Sequence, residues 1–193
     1  MKLFLLNILK FITPILVFLF ISDHIITSGL RVTGYGEYKE WNEIFNGDIN
    51  ADLIINGSSR PFTGISPAIL DSVLGLNSFN LAMNGSEFCH TNTRYLIYNE
   101  FNKTPKIVIQ ALDLHSLRNT ETLLFPDQFV PYYDNDLIKK LVESSSDFSS
   151  FDYDIPSFKY LYQYKVQFVG ICEYFNLIHF DNGKYKGYRR TNL

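Results

Sequence analysis

The spacing of three short apolar runs constrains this chain more than any other feature. Asp52–Asn56, Ser78–Met83 and Lys106–Leu112 each read as a strand, the last rich in Ile and Val. Helix signals lie between them. Ser66-Pro67 is an N-cap followed by a proline at the first helical position, and the helix Pro67–Leu74 stops at Gly75. Glu87–Phe101 reads as a second helix, with Phe88, Tyr95, Leu96 and Tyr98 on or near one face and Pro105 just past its end. Strand, helix, strand, helix, strand at this spacing predicts a parallel α/β sheet with right-handed crossovers.

In an open parallel sheet, ligands bind outside the carboxyl ends of the strands. Gly57-Ser58-Ser59-Arg60 follows the first strand, Asn84-Gly85-Ser86 the second, and Asp113-Leu114-His115 the third. Polar residues capable of chemistry therefore follow every strand and are expected to face one crevice. A serine hydroxyl needs a general base to act as nucleophile. A developing oxyanion needs donors, for which the Gly85 and Ser59 backbone N–H groups and the Asn84 side chain are candidates. Plainer roles also fit: Ser58 and Ser59 bonding within their turn, Asn84-Gly85 as an ordinary turn pair, Asp113 capping a helix that starts near His115, and Arg60 in a structural ion pair.

The first thirty residues form a separate unit. Leu3 to Ile21 is apolar except for Asn7, Lys10 and Thr13. The run suits a membrane span of ~20 residues. Residues 1–29 therefore read as an N-terminal anchor or a signal peptide, contacting the lipid bilayer in either case. Lys2 and Lys10 place the N-terminus on the cytoplasmic side and the remainder outside, giving a single-pass protein of the cytoplasmic (inner) membrane facing the periplasm or exterior. Residues 30–48 read as a membrane-proximal connector with a short helix near Lys39–Phe45, and residues 49–193 as the folded domain. Downstream, Phe125–Tyr133 reads as a loop, Asp136–Val142 as a helix, Phe148–Pro156 as irregular and Phe158–Phe175 as one aromatic-rich helix.

Composition narrows the function. A net charge of −3 with scattered basic residues excludes a general nucleic-acid field. Cys89 and Cys172 fit no zinc pattern and leave a disulfide or two free thiols open. No cofactor or metal is expected.

The blocks Ala51-Asp52-Leu53-Ile54-Ile55-Asn56-Gly57-Ser58-Ser59-Arg60, Ile65-Ser66-Pro67, Phe79-Asn80-Leu81-Ala82-Met83-Asn84-Gly85-Ser86 and Pro105–Asp113 resemble the SGNH/GDSL hydrolase superfamily. Within it the chain is similar to the membrane-anchored branch found with bacterial surface-polysaccharide and teichoic-acid modification. The resemblance implies a three-layer α/β/α flavodoxin-like domain. It implies Ser59 as nucleophile, since the family's Gly-Asp-Ser block aligns with Gly57-Ser58-Ser59, and Gly85 as an oxyanion donor. Ala111-Leu112-Asp113 meets the third block poorly, and Asp-x-x-His, the source of the base and its orienting carboxylate, is absent. The domain is thus expected to be incomplete at its C-terminal end. The implied function is an extracytoplasmic serine acyl-esterase or O-acyltransferase on a surface polysaccharide, inactive or incomplete as it stands, with an acyl donor and a membrane acyltransferase as partners. The alternative is a non-catalytic glycan-binding or scaffold protein with a degenerate SGNH fold.

Overall fold

A computed structural model describes residues 2–114, 117, 122–123, 125–146 and 148–189. The fold is mixed α/β, with a small parallel sheet and one long apolar N-terminal helix.

The sheet has three strands, β1 (Leu53–Asn56), β2 (Ser78–Asn80) and β3 (Ile107–Gln110), in the order β2-β1-β3. β1 is central and parallel to both neighbours, with Leu53 opposite Ser78 on one side and Ile107 on the other. All four β1 residues are buried, which explains its unbroken apolar run. β3 is an edge strand, and Ile107 and Val108 remain exposed. β2 ends at Asn80, before the expected Met83, although Leu81 N and Met83 N still donate to Ile55 O and Gly57 O.

Local signals account for most helices. α4 (Pro67–Leu74) begins at its proline and ends where Gly75 takes a left-handed φ of 65°, although Ser66 makes no side-chain cap. α5 spans Phe88–Phe101. α6 (Asp136–Glu143) is capped by Asn135, whose side chain accepts from Leu137 N and Ile138 N. Two short helices, α3 (Ser59–Gly64) and α7 (Ser150–Asp154), occupy stretches read as turn and irregular chain.

The aromatic stretch after Pro156 is not one helix. A 3-10 turn at Phe158–Tyr160 is separated from α8 (Tyr164–Tyr174) by Tyr162, at φ 67°. Tyr160 is drawn inward, its hydroxyl 2.7 Å from Thr27 Oγ1, and that anchor competes with helical continuity. Pro126–Tyr132, read as loop, is a 3-10 helix buried along Gln128–Tyr132.

α1 (Lys2–Leu30) carries an apolar span over Leu6–Leu30, of mean hydropathy 1.8, and is long and apolar enough to cross a membrane. Its last turns pack on α8, where an added Cβ at Gly29 would lie 1.8 Å from Gly170 O. Only glycine permits so close a backbone crossing.

The segment expected as a connector holds α2 (Tyr38–Phe45) and supplies the centre of the core. Trp41 is fully buried against Phe129 and Tyr132, and Phe45 stacks on Tyr132 at 4.8 Å. Tyr132 OH donates to Asn42 Oδ1 at 2.6 Å, and Trp41 Nε1 to Gln128 Oε1 at 3.2 Å. Cys89 is exposed and Cys172 buried, and both thiols are free.

Candidate functional site at the carboxyl ends of the strands

Gly57 opens the site. Its φ of +145° is costly for a residue with a Cβ, and an added Cβ would meet Ala111 O and Pro61 Cγ, each at 2.8 Å. The chain leaving β1 passes between those leaving the other strands. Met83 N donates to Gly57 O at 3.0 Å, and Ala111 N to Asn56 O at 2.9 Å.

The next two serines separate. Ser58 is buried and donates from Oγ to Asp113 Oδ2 at 2.7 Å, joining the β1 and β3 ends. Ser59 is exposed and opens α3, its carbonyl accepting from Thr63 Oγ1 at 3.3 Å. Arg60 is exposed beside it. Asp113 thus lies with the β1 turn, whereas His115 lies outside the described residues. Among the described residues, no histidine hydrogen-bonds to either serine. His90 is buried on α5, where desolvation lowers its pKa against the opposing pull of Glu87, favouring neutral imidazole.

Gly85 adopts the left-handed region at φ 69°, as the turn after β2 requires. Asn84 is exposed and lines a cleft of about 240 Å³ that opens toward α2. Ser86, Glu37, Phe62, Gln128 and Arg189 also face it. Ser58, Ser59, Arg60 and Asp113 do not, so the strand-end residues divide between two neighbouring places.

Several residues that shape this region were not evident as site elements in the sequence. Asn80 fixes α3 against β2: its Nδ2 donates to Pro61 O at 2.8 Å and Ile65 O at 3.1 Å, and its Oδ1 accepts from Ala82 N at 3.0 Å. A second group is ionic. Lys184 donates to Glu37 Oε1 at 2.8 Å and Glu40 Oε2 at 3.0 Å, carrying the C-terminal segment between α2 and Phe62. Burial raises the Glu40 pKa, while Lys184 opposes the rise. Arg94 is fully buried over the Trp41 ring at 4.8 Å, with its Nη1 3.8 Å from Glu37 Oε2. No local pattern announces this cluster, because Arg94 and Lys184 reach Glu37, Glu40 and Trp41 from segments far away in the chain. Beyond it, Lys186 O accepts from Asn80 N, and Lys186 Nζ pairs with Asp71 at 2.6 Å, closing the outer side of β2.

Chemically, the arrangement offers one exposed hydroxyl on a short helix, one hydroxyl committed to a carboxylate, and an adjacent polar and aromatic cleft. No family model, curated protein or solved structure matches this chain.

Proposed function

We propose that this chain is a membrane-anchored, SGNH-like serine acyl-esterase or O-acyltransferase domain that works outside the cytoplasmic membrane on a surface polysaccharide. The observation that carries the reading is the division of labour at the β1 turn. Ser58 holds Asp113 and ties two strand ends together, which leaves Ser59 exposed at the carboxyl edge of the sheet. The strand order β2-β1-β3 supports it too, since it matches the first part of the doubly wound order 2-1-3-4-5, in which ligands sit between β1 and β3. The flavodoxin-like three-layer domain belongs to this reading. So does the single-pass orientation, supported by the apolar α1 with Lys2 and Lys10 at its N-terminal side.

In the chemical step, Ser59 Oγ forms an ester bond to the acyl carbonyl carbon as the bond from that carbon to its leaving group breaks. The leaving group is the sugar oxygen for the esterase and the acyl donor's carrier for the acyltransferase. Water or a sugar hydroxyl, respectively, then takes the acyl group and restores Ser59. The proton lost by Ser59 ends on the departing group by way of a general base. The family's Asp-x-x-His block would supply that base and this sequence lacks it, so the domain is inactive or incomplete as it stands. Gly85 N–H is the candidate donor to the oxyanion, and Asn84 would have to turn from the neighbouring cleft to join it. In the acyltransferase reading, a membrane acyltransferase is a fitting source of the acyl group.

A second reading, glycan binding without turnover, is favoured by the 240 Å³ cleft, whose rings and polar side chains lie apart from Ser59. Labelling with a fluorophosphonate probe separates the two. Ser59-dependent labelling, lost in Ser59→Ala and kept in Ser58→Ala, supports the enzyme. Absence of labelling with glycan binding retained in Ser59→Ala sinks it in favour of binding.

A further inference from the structure

The apolar span of α1 and the aromatic surface of α8 lie side by side. Within the longer apolar helix α1, the stretch ahead of Asp23 and His24, Leu3 to Ile21, rises about 28 Å at ~1.5 Å per residue. That is close to the ~30 Å hydrocarbon core, and this stretch is taken as the part within it. Polar contacts with the rest of the chain begin in the last turn of that stretch. Ser157 Oγ donates to Leu19 O at 2.8 Å, Ser157 N to Asp23 Oδ1 at 2.9 Å, and Lys159 Nζ pairs with Asp23 Oδ2 at 3.2 Å. His24 meets the Tyr174 ring edge-on, and Ile26 and Gly29 cross Gly170. The crossing at Ile26 is five residues beyond Ile21, or about 7–8 Å further along the axis. The headgroup zone on each side of a bilayer is about 5–8 Å deep.

α8 therefore meets α1 from headgroup height outward: its Tyr174 end lies against His24, about 4–5 Å beyond Ile21, and Gly170 lies against Ile26 and Gly29, about 7–12 Å beyond it. Its inner side, including Val166, Val169 and Cys172, is buried. Its other side is mostly apolar: Tyr164, Phe168 and Ile171 along the helix, then Phe175, Leu177 and Ile178 just after it, are all exposed, with Lys165, Asn176 and His179 as the exposed polar residues among them. A surface helix in water normally presents mostly charged and polar side chains there, where α8 presents Lys165 alone among its charged residues. Aromatic residues beside the end of a membrane span are the pattern of an interfacial belt.

We propose that this aromatic face of α8 and the turn after it rests in the headgroup region of the lipid bilayer, as a second membrane contact that fixes the tilt of the domain over the membrane. The proposal rests on α1 spanning that bilayer. The occupant is lipid because the face continues the lipid-exposed surface of α1 at the depth where the bilayer interface must lie. Two contacts on one rigid pair of helices would hold the strand-end crevice at a set height, where an anchor alone would let it swing.

Tryptophan scanning of the full chain in phosphatidylcholine vesicles tests this. The parent chain has one tryptophan, the fully buried Trp41, which serves as background and as a check on folding. Phe18→Trp reports α1, Phe175→Trp reports the proposed contact, and Val73→Trp on α4 is the exposed control. With lipid brominated near the headgroup end of its acyl chains, Phe18→Trp and Phe175→Trp should lose emission beyond the parent, and Val73→Trp should not. Loss at Phe18→Trp alone overturns the α8 contact and leaves the span intact. Loss at neither position overturns both. An unquenched Phe175→Trp with doubled mass in mild detergent assigns the face to a second copy instead and overturns the proposal.

Discussion

Ser58 Oγ donates a 2.7 Å hydrogen bond to Asp113 Oδ2, and this contact joins the chain leaving β1 to the chain leaving β3. Ser59, the next residue, is left exposed. Adjacent serines of the same chemistry thus have opposite surroundings.

Ser58→Ala and Ser59→Ala should behave differently in urea unfolding. Removing the buried Ser58 hydroxyl leaves Asp113 short of a donor and should cost about 1.5–3 kcal/mol, the range for a hydrogen bond to a charged group. Ser59→Ala changes an exposed side chain and should stay within about 0.5 kcal/mol of the parent. Equal midpoints for the two variants would show that the Ser58–Asp113 bond carries no stability.

Gly57→Ala should destabilise the whole β1 turn. The backbone sits at φ +145°, and the new Cβ would press on Ala111 O and Pro61 Cγ at 2.8 Å. Strain of this kind costs of order 1–3 kcal/mol before the clash is added. Thermal unfolding by circular dichroism should show a clear drop in Tm; an unchanged Tm would mean that the turn relaxes freely.

Gly29→Ala should loosen α8 from α1. The added methyl would lie 1.8 Å from Gly170 O, so the helices must separate. The gain in helix propensity, about 1 kcal/mol, does not offset a backbone collision of that depth. Amide hydrogen exchange should rise selectively along Tyr164–Tyr174. Protection equal to the parent would show that the crossing is not tight.

The Glu37–Glu40–Lys184 cluster should make stability depend on pH. Burial raises Glu40 above its ordinary value of 4.5, against the pull of Lys184. The folded protein then holds a proton that the unfolded chain releases. The Glu40 contribution is therefore present below pH 4.5 and is lost as pH rises through the folded pKa. Glu40→Gln should remove this part of the profile, so the parent-minus-variant difference in unfolding free energy should fall as pH rises above 4.5. Lys184→Met leaves the buried Glu40 and the half-buried Glu37 without their cation and should cost about 3–5 kcal/mol near neutral pH. A flat difference profile would show that Glu40 is not perturbed.

Short-range chemistry made much of the framework readable. Pro67 and Gly75 bound α4 because proline suits a first helical turn and glycine accepts the left-handed stop. Leu53-Ile54-Ile55 is apolar throughout because the central strand is covered on both faces. The length and apolarity of α1 are likewise properties of its own residues. Gly57 is needed wherever the chain must turn at positive φ between close neighbours.

Packing between distant segments decided the rest. Nothing near Ser58 in the chain selects it over Ser59 for the bond to Asp113, 55 residues away; the pairing of β1 with β3 does. Residues 30–48 look polar enough to be a connector, yet Trp41 and Ile44 become core because Phe129 and Tyr132 arrive to cover them. Tyr160 breaks an otherwise helical stretch by reaching Thr27. Lys184 becomes a buried cation only because Glu37 and Glu40 wait on α2. Burial and pairing belong to the assembled chain, so hydrophobic pattern and turn chemistry, which act over a few residues, could not specify them.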